Sequence, residues 1–216
     1  MDKVSARNIS SELEEMVLTG HFANGQHLDE TTLAEMFGVS RTPIRESLQQ
    51  LVTSGLAQKI PRRGVFIKNP TAIELLEMFE VMAELEAACV RFAALRISDH
   101  ALSALYKANE KCELSVQAGD TEGYFQENET FHQILYQESA NSFLRAETER
   151  LQRRLRPFRR IQLKLRGRLG QSMAEHKAIL DALSQNKGEL AAEEMRKHVS
   201  VQGEKFHHLI ASSATL

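Results

Sequence analysis

The sequence predicts a mainly α-helical protein in which a winged helix-turn-helix domain is followed by an all-α bundle of about six helices. Three observations support this fold class. Apolar residues recur at helical spacing along most of the 216-residue chain. A short hairpin pattern follows the third predicted helix, and the pair Asn69-Pro70 then ends any strand, because proline cannot donate a ladder hydrogen bond. We therefore predict one domain over residues 1–69 and a second over residues 70–216.

The first domain begins with two amphipathic helices and a turn. Helical periodicity covers Ile9–Val17 and, after a polar turn, Thr32–Phe37. Gly38 suits a turn that needs a positive φ. Pro43 lacks a backbone N–H and is tolerated only in a first helical turn, so a third helix should begin close to Ser40.

The third helix combines an apolar stripe with a polar N-terminal end. Ile44, Leu48 and Leu51 fall at i, i+4 and i+7, which directs them inward. The N-terminal end of such a helix is the part that a recognition helix presents to base edges in the major groove. The helix-turn-helix pattern therefore predicts contact with double-stranded DNA, made here by Arg41, Thr42 and Arg45.

A hairpin follows the third helix. The apolar stretches Leu56–Ile60 and Val65–Ile67 are joined by a Pro-Arg-Arg-Gly turn, which is typical of the wing of a winged helix. Arg62 and Arg63 could enter a minor groove, while Gly64 permits close approach to a phosphate. The alternative is an ordinary solvated hairpin tip, because charged loop tips are common.

Charge is distributed unevenly along a chain whose net charge is −2 at pH 7. From Arg41 to Lys68, six basic residues oppose one acidic residue, Glu46, leaving an excess of five positive charges. A local basic face on a near-neutral protein favours sequence-selective DNA binding over indiscriminate coating.

The composition is that of a globular protein, with 42% hydrophobic and 26% charged residues. No apolar run approaches the ~18 residues needed to cross a bilayer, and the first ten residues lack the apolar stretch of a signal peptide. We expect a cytoplasmic protein without membrane contact. Cys89 and Cys112 are expected to be free thiols.

The second domain reads as consecutive helices separated by short polar or glycine-containing breaks. One of these breaks is Gly-Arg-Leu-Gly at residues 167–170. The predicted helices cover Ala72–Arg96, Asp99–Ala118, Thr121–Ser139, Ser142–Lys164, Ser172–Ser184 and Leu190–Ser212.

Five segments carry a resemblance to a known family. The first domain contains LAEMFGVSRTPIRESLQQLVTSGL and PRRGVFI, and the second contains ENETFHQILYQESANSFL, AEHKAILDAL and AEEMRKHV. With these segments the chain resembles the GntR superfamily of bacterial transcription regulators, in its FadR-like branch with an all-helical FCD effector domain. About six helices in that domain is typical of the VanR-like subgroup.

The resemblance implies a homodimer that binds a short palindromic operator and responds to a small organic acid, often with a divalent metal in the helical domain. It implies DNA contact by Arg41, Thr42, Arg45, Arg62, Arg63 and Gly64, and metal ligation by Asn128, His132, His176 and His198. Two positions depart from the family pattern: Asn128 stands where aspartate is common, and Met82 where many members have arginine.

The spacing of two candidate ligands is compatible with a metal site. Asn128 and His132 are separated by four residues, so both project from one face of a helix. Taken alone, each histidine is better explained as a surface or core residue than as a metal ligand. Three neutral imidazoles suit Zn²⁺ or Ni²⁺ and leave positions open for water or a carboxylate. Asn128 could ligate only through its neutral amide oxygen, so we expect weaker affinity or one ligand fewer.

The segment Arg153–Arg168 is the most basic part of the chain. The simpler interpretation is a solvated helix face. The alternative is that one or two of Arg153, Arg156 and Arg160 point into the helical domain and bind an effector carboxylate. The apparent absence of the family's arginine at Met82 favours this second interpretation.

These patterns favour a ligand-responsive repressor, which leaves the operator when its effector binds. Activation of transcription is left open as an alternative. One alternative is a regulator that senses the metal itself. A metalloenzyme is a further alternative, but no acidic residue is clearly spaced as a general base, and a neutral Asn128 breaks the two-histidine-one-carboxylate pattern. We therefore do not expect an enzyme.

Overall fold

The computed structural model describes the backbone of residues 6–68 and 70–213, and the side chains of residues 9–68 and 70–200. It divides into two compact units, Met1–Ile73 with Arg153–Phe158, and Glu74–Gln152 with Arg159–Leu216. The boundary predicted between residues 69 and 70 falls on Asn69, which lies outside the described residues.

The first unit contains the three predicted helices, α1 (Ala6–Leu18), α2 (Glu30–Phe37) and α3 (Arg41–Thr53). The Asp29 carboxylate accepts hydrogen bonds from two backbone N–H groups at the start of α2, and Gly38 ends that helix in the left-handed region at φ 64°. Pro43 lies in the first turn of α3, as predicted. Ser40 occupies the N-cap position, although its hydroxyl makes no capping hydrogen bond.

The wing is part of a three-stranded antiparallel sheet of β1 (His27–Leu28), β2 (Ala57–Ile60) and β3 (Gly64–Ile67), in the order β1-β3-β2. The hairpin of β2 and β3 is confirmed, and its register pairs Ile60 with Gly64. The strand β1 was not predicted, because two residues are too few to give an alternating pattern.

The core of the first unit lies between α1 and α3. Ile9, Leu13 and Ile44 have no solvent exposure. Two serines complete this contact, since the Ser10 hydroxyl donates to the Ser47 hydroxyl at 2.9 Å in a buried position. These contacts fix the orientation of α3 and leave its polar N-terminal end exposed.

After residue 70 the described residues form the six expected helices: α4 (Ala72–Ala94), α5 (Asp99–Gln117), α6 (Thr121–Glu138), α7 (Ser142–Gln162), α8 (Arg168–Ser184) and α9 (Gly188–Ser213). The prediction for α8 was wrong by one turn. The break covers residues 163–167 and ends at Gly167, at φ 77°, and α8 then runs through Gly170. This longer helix carries Arg168 at its first position.

The two cysteines are free and buried, as expected. Across the described residues, each helix is too short or too polar to span a bilayer.

Candidate functional site

The first candidate site is the exposed face of α3. Arg41, Thr42 and Arg45 are all exposed at the N-terminal end of the helix. The Arg45 guanidinium donates to the Glu30 carboxylate at 2.7 Å, and the two side chains are 64% and 36% exposed. Exposed pairs of this kind contribute about 0–1 kcal/mol, so Arg45 can exchange Glu30 for a base or a phosphate at little cost.

The tip of the wing is also exposed, and Arg62, Arg63 and Gly64 lie on it. The Arg63 guanidinium lies over the Phe66 ring, 5.6 Å from its centroid. Gly64 has a φ of 102°, and a Cβ atom there would lie 2.4 Å from Nε2 of His27. Glycine is therefore required at this position by the backbone and by His27, whatever its role toward phosphate.

The second candidate site is a buried cluster of three histidines. His132 on α6, His176 on α8 and His198 on α9 have no solvent exposure. One ring nitrogen from each lies within 4.8 Å of the other two. Asn128 precedes His132 by about one helical turn and is also buried. The structure thus brings together the three histidines that the sequence singled out.

Two glutamates orient the histidine rings. Nδ1 of His132 donates to Glu86, and Nδ1 of His198 donates to Glu175 at 2.6 Å. An ionised carboxylate only accepts hydrogen bonds, so Nε2 of each ring carries the lone pair. These two Nε2 atoms lie 3.3 Å apart. A carboxylate behind each imidazole is the arrangement that fixes the tautomer of metal-binding histidines.

Glu86 and Arg159 form a buried ion pair that the sequence analysis did not find. Nη1 of Arg159 donates to Glu86 at 2.9 Å, and Nη2 approaches Nε2 of His132 at 3.0 Å. Burial alone would raise the pKa of Glu86, but contact with His132 and Arg159 outweighs burial and lowers the pKa. The available signal was a single carboxylate within the apolar stripe of α4, between Met82 and Val90, which are themselves fully buried.

The three arginines predicted to hold an effector lie outside this cluster. Arg153 is exposed, Arg156 is half-buried, and Arg160 is half-buried and paired with Glu122 at 2.8 Å. The physical reason is helical phase. Thr148 and Gln152 are buried on α7, and Arg159 continues their face seven residues after Gln152. A buried arginine therefore lies in the predicted basic segment, but on a neighbouring face of the helix, and its partner there is Glu86.

A second buried arginine lies at the start of α8. Arg168 has no solvent exposure and donates through Nη1 to Glu175 at 2.9 Å. The same carboxylate oxygen accepts from His198. One continuous chain of contacts therefore links two arginines, two glutamates and two histidines, in the order Arg168, Glu175, His198, His132, Glu86 and Arg159. We call these six residues, together with His176, the buried chamber.

Electrostatics keep the histidines neutral. Burial lowers the pKa of all three, and for His176 and His198 the neighbouring cationic and imidazole groups lower it further, well below the ordinary value of 6.5. Neutral imidazole is the form that binds metal ions.

The buried chamber fits a divalent metal. Two nitrogens bound to one tetrahedral zinc ion at about 2.0–2.1 Å lie roughly 3.3 Å apart, which is the separation of the two Nε2 atoms. Both ring nitrogens of His176 are buried, with no hydrogen-bond partner among the side chains that the structure describes. Arg159 competes for one ligand atom, because its Nη2 must leave His132 when a metal binds.

Comparison with known protein families assigns both sites to known domains. Residues 77–201 match the FCD domain, and residues 5–67 match the bacterial regulatory proteins of the gntR family. The chain is a GntR-family transcription regulator with an FCD domain. The exposed face of α3 and the wing belong to the GntR part, and the buried chamber belongs to the FCD domain.

Relatives of this GntR regulator cover nearly its whole length. The HTH-type transcriptional regulator YdhC of Bacillus subtilis is 28% identical over 93% of this chain and 90% of its own. The Nta operon transcriptional regulator of Aminobacter aminovorans is 29% identical over 93% of each chain. The solved structure of Lar, which controls the expression of the Listeria monocytogenes agr system, has the same fold, with a TM-score of 0.71 and 21% identity over 97% of this chain and 99% of that one.

Family membership separates the functional alternatives. GntR regulators bind DNA, and FCD domains bind small-molecule effectors. The family and its relatives are transcription regulators, so the interpretation as a metalloenzyme is wrong and the expectation of a DNA-binding regulator is confirmed.

Proposed function

We propose that this GntR regulator is a repressor that leaves a palindromic operator when a small carboxylic acid binds beside a divalent metal in the buried chamber. The observation that carries the proposal is the pair of Nε2 atoms of His132 and His198, 3.3 Å apart and backed by separate carboxylates. Two acceptor nitrogens at this separation can bind one divalent cation, in place of the Arg159 guanidinium that donates to His132.

On the DNA side, Arg41, Thr42 and Arg45 read base edges and the wing residues Arg62, Arg63 and Gly64 contact the backbone and minor groove. Two protomers of a homodimer present these surfaces to half-sites about one helical turn apart. The exposed position of all six residues supports this assignment.

On the effector side, His132, His176 and His198 hold Zn²⁺, or Ni²⁺ in its place, and Asn128 is the candidate for a fourth ligand through its amide oxygen. When bound, the metal acts as a Lewis acid that anchors a carboxylate. The protein's own side chains position the imidazoles through Glu86 and Glu175, and the three rings are shielded from bulk solvent.

The effector can change operator affinity only by binding one arrangement of the homodimer better than another. Each tenfold preference is worth about 1.4 kcal/mol. A hundredfold release from DNA thus requires about 2.7 kcal/mol of differential binding, which lies within the usual range of coupling between sites.

The test is operator affinity, measured by fluorescence anisotropy on a duplex selected from random sequences by the purified protein. Three conditions are compared: excess chelator, added Zn²⁺, and Zn²⁺ with a panel of small carboxylic acids. The proposal predicts that the third condition weakens binding relative to the second. An operator affinity that no acid changes, in zinc-loaded protein, contradicts it.

The same titration distinguishes the effector-released repressor from a second candidate, a metal-sensing regulator. Asn128 favours this candidate, because its neutral amide oxygen would hold the metal less tightly than an aspartate at this position. Metal sensing predicts that Zn²⁺ alone changes operator affinity and that the acids add nothing.

A further inference from the structure

A row of buried polar side chains, some of whose atoms lack hydrogen bonds among the described residues, runs along one face of α8. Arg168, Ser172 and His176 are spaced four residues apart, so their side chains follow one face of the helix, and all three are at least 99% buried. Nε and Nη2 of Arg168, Oγ of Ser172 and both ring nitrogens of His176 have no hydrogen-bond partner in the part of the chain that the structure describes. A buried polar group without a partner costs about 1–3 kcal/mol, so a whole stripe of them indicates a ligand.

The geometry of Arg168 identifies the chemistry of that ligand. Its Nη1 is held by Glu175 at 2.9 Å, which fixes the guanidinium in the chamber. The two donors left over, Nε and Nη2, lie on one edge of the planar group and form the fork that binds a carboxylate through two parallel hydrogen bonds. Because the Glu175 oxygen also accepts from His198 at 2.6 Å, the Arg168 guanidinium lies close to the histidine cluster.

A tyrosine from α6 adds a further donor next to the fork. Tyr124 is fully buried, and its hydroxyl lies near Ser172 and Arg168 without completing a hydrogen bond of normal geometry. Burial raises the pKa of Tyr124, so its hydroxyl stays protonated and can donate a hydrogen bond to an anion.

The charges of the chamber indicate how many negative groups the ligand carries. Glu86 is paired with Arg159, and Glu175 with Arg168, so the two ion pairs cancel. The three imidazoles are neutral and Asn128 adds no charge. A divalent metal would therefore bring an uncompensated charge of about two units into a buried site, which is strongly unfavourable unless the ligand neutralises it.

We propose that the effector is a short dicarboxylate, with one carboxylate at the histidine-held metal and the other bound by the free edge of Arg168, assisted by the hydroxyls of Tyr124 and Ser172. This inference rests on the proposed function, since it takes the metal at the histidines as given. It adds the second anion site and the charge of the ligand.

The first experiment measures ligand binding by thermal shift on the full-length, zinc-loaded protein. The probes are malonate, succinate and glutarate, each compared with its monomethyl ester, which has the same length and one negative charge fewer. At least one dicarboxylate is expected to bind ten or more times tighter than its ester. Equal or weaker binding of every dicarboxylate overturns the proposal.

The second experiment uses variants that separate a ligand role from a structural one. Tyr124→Phe and Ser172→Ala remove hydroxyls that lack a normal hydrogen bond, so the ligand-free protein should keep its melting temperature or gain a little. Binding of the best dicarboxylate should fall about tenfold or more in each. Tyr106→Phe, at a tyrosine that is 43% exposed on α5, is the matched control and should bind as the wild type does.

Arg168→Gln completes the series, with Arg166→Gln at an exposed neighbour as its control. It should abolish the preference for the dicarboxylate over its ester, a readout that remains valid even if the variant is less stable. If all three chamber variants bind the dicarboxylate as the wild type does, the second anion site is wrong.

Operator affinity distinguishes failure of this inference from failure of the proposed function. Dicarboxylate binding that depends on Tyr124 without any change in operator affinity supports the anion site and contradicts the repressor mechanism. Release from the operator by a monocarboxylate, unaffected by Arg168→Gln, supports the mechanism and contradicts the anion site.

Discussion

Nε2 of His132 and Nε2 of His198 lie 3.3 Å apart, while Nδ1 of each ring is bound to a different glutamate. Both facing nitrogens are acceptors in this arrangement, so it is stabilised by a cation placed between them. This relationship links the sequence motif, the packing of three helices and the proposed response to a ligand.

Asn128→Asp should have opposite effects on zinc affinity and on the stability of the metal-free protein. A carboxylate is a stronger ligand than an amide oxygen, so zinc affinity should rise at least tenfold, measured by competition with a chromogenic chelator. In chelator the same change places an additional charge at a buried position and should lower the melting temperature. Asn141→Asp, at the N-cap of α7, is the matched control because aspartate also caps helices. Unchanged zinc affinity in Asn128→Asp would remove residue 128 from the ligand set.

Arg45→Ala should weaken operator binding by about 1–3 kcal/mol if Arg45 reads a base, or reduce the salt slope by about one unit if it contacts a phosphate. Anisotropy titrations at several salt concentrations distinguish these outcomes. Glu30→Gln is the companion variant, since it removes the partner that holds Arg45 at 2.7 Å. It should keep or strengthen DNA binding, because one negative charge near the DNA is lost. Arg45 lies outside the interface if its variant changes neither the affinity nor the slope.

Gly64→Ala should destabilise the wing by about 1–3 kcal/mol. The new Cβ would lie 2.4 Å from Nε2 of His27, and the φ of 102° is unfavourable for alanine. The double variant His27→Ala/Gly64→Ala should regain the stability that the clash removes, but not the stability that the unfavourable φ removes. Chemical denaturation measures both. Full stability of the single variant would contradict the described position of His27.

The metal-free protein should lose stability as the pH falls below about 6.5. Burial lowers the pKa of His132, His176 and His198 in the folded state, so the unfolded chain binds more protons between the folded pKa values and the ordinary value of 6.5. The free energy of unfolding therefore falls with decreasing pH in this window, by up to about 1.4 kcal/mol per pH unit for each ring. His176→Gln should make the dependence shallower.

Zinc provides the matching control for the pH experiment. Added Zn²⁺ should raise the melting temperature at pH 7.5, and the gain should shrink at pH 6 because protons compete for the same nitrogens. A stability of the metal-free protein that does not change between pH 7 and pH 5.5 would mean that the three rings are not buried as described.

Much of the fold could be predicted from the sequence, because apolar periodicity is strong in helices that pack on one face. Pro43 located the start of α3 and Gly38 the end of α2 accurately, since each residue has a specific backbone requirement. The two-residue strand β1 and the start of α8 were not predictable in this way. Pairing of β1 with β3 joins residues distant in sequence, and Gly170 is tolerated inside α8, where a Cβ would meet only open space.

The buried chamber was predicted only in part. The histidines were identified by their motifs, but Glu86, Arg159 and Arg168 were not, because their roles depend on which face of a helix is buried. Arg159 and Arg160 differ by one position and about 100° of helical rotation, which no composition or spacing argument resolved. Glu86 was detectable as a lone carboxylate in an apolar stripe.

The most direct test of the central claim is the operator affinity of zinc-loaded wild type and His176→Ala, each measured with and without the best-binding carboxylic acid. If the chamber controls DNA binding, the acid weakens the wild-type complex at least tenfold and leaves the His176→Ala complex unchanged. An acid that releases both proteins equally, or neither, would contradict the claim that the histidine cluster couples ligand binding to the operator.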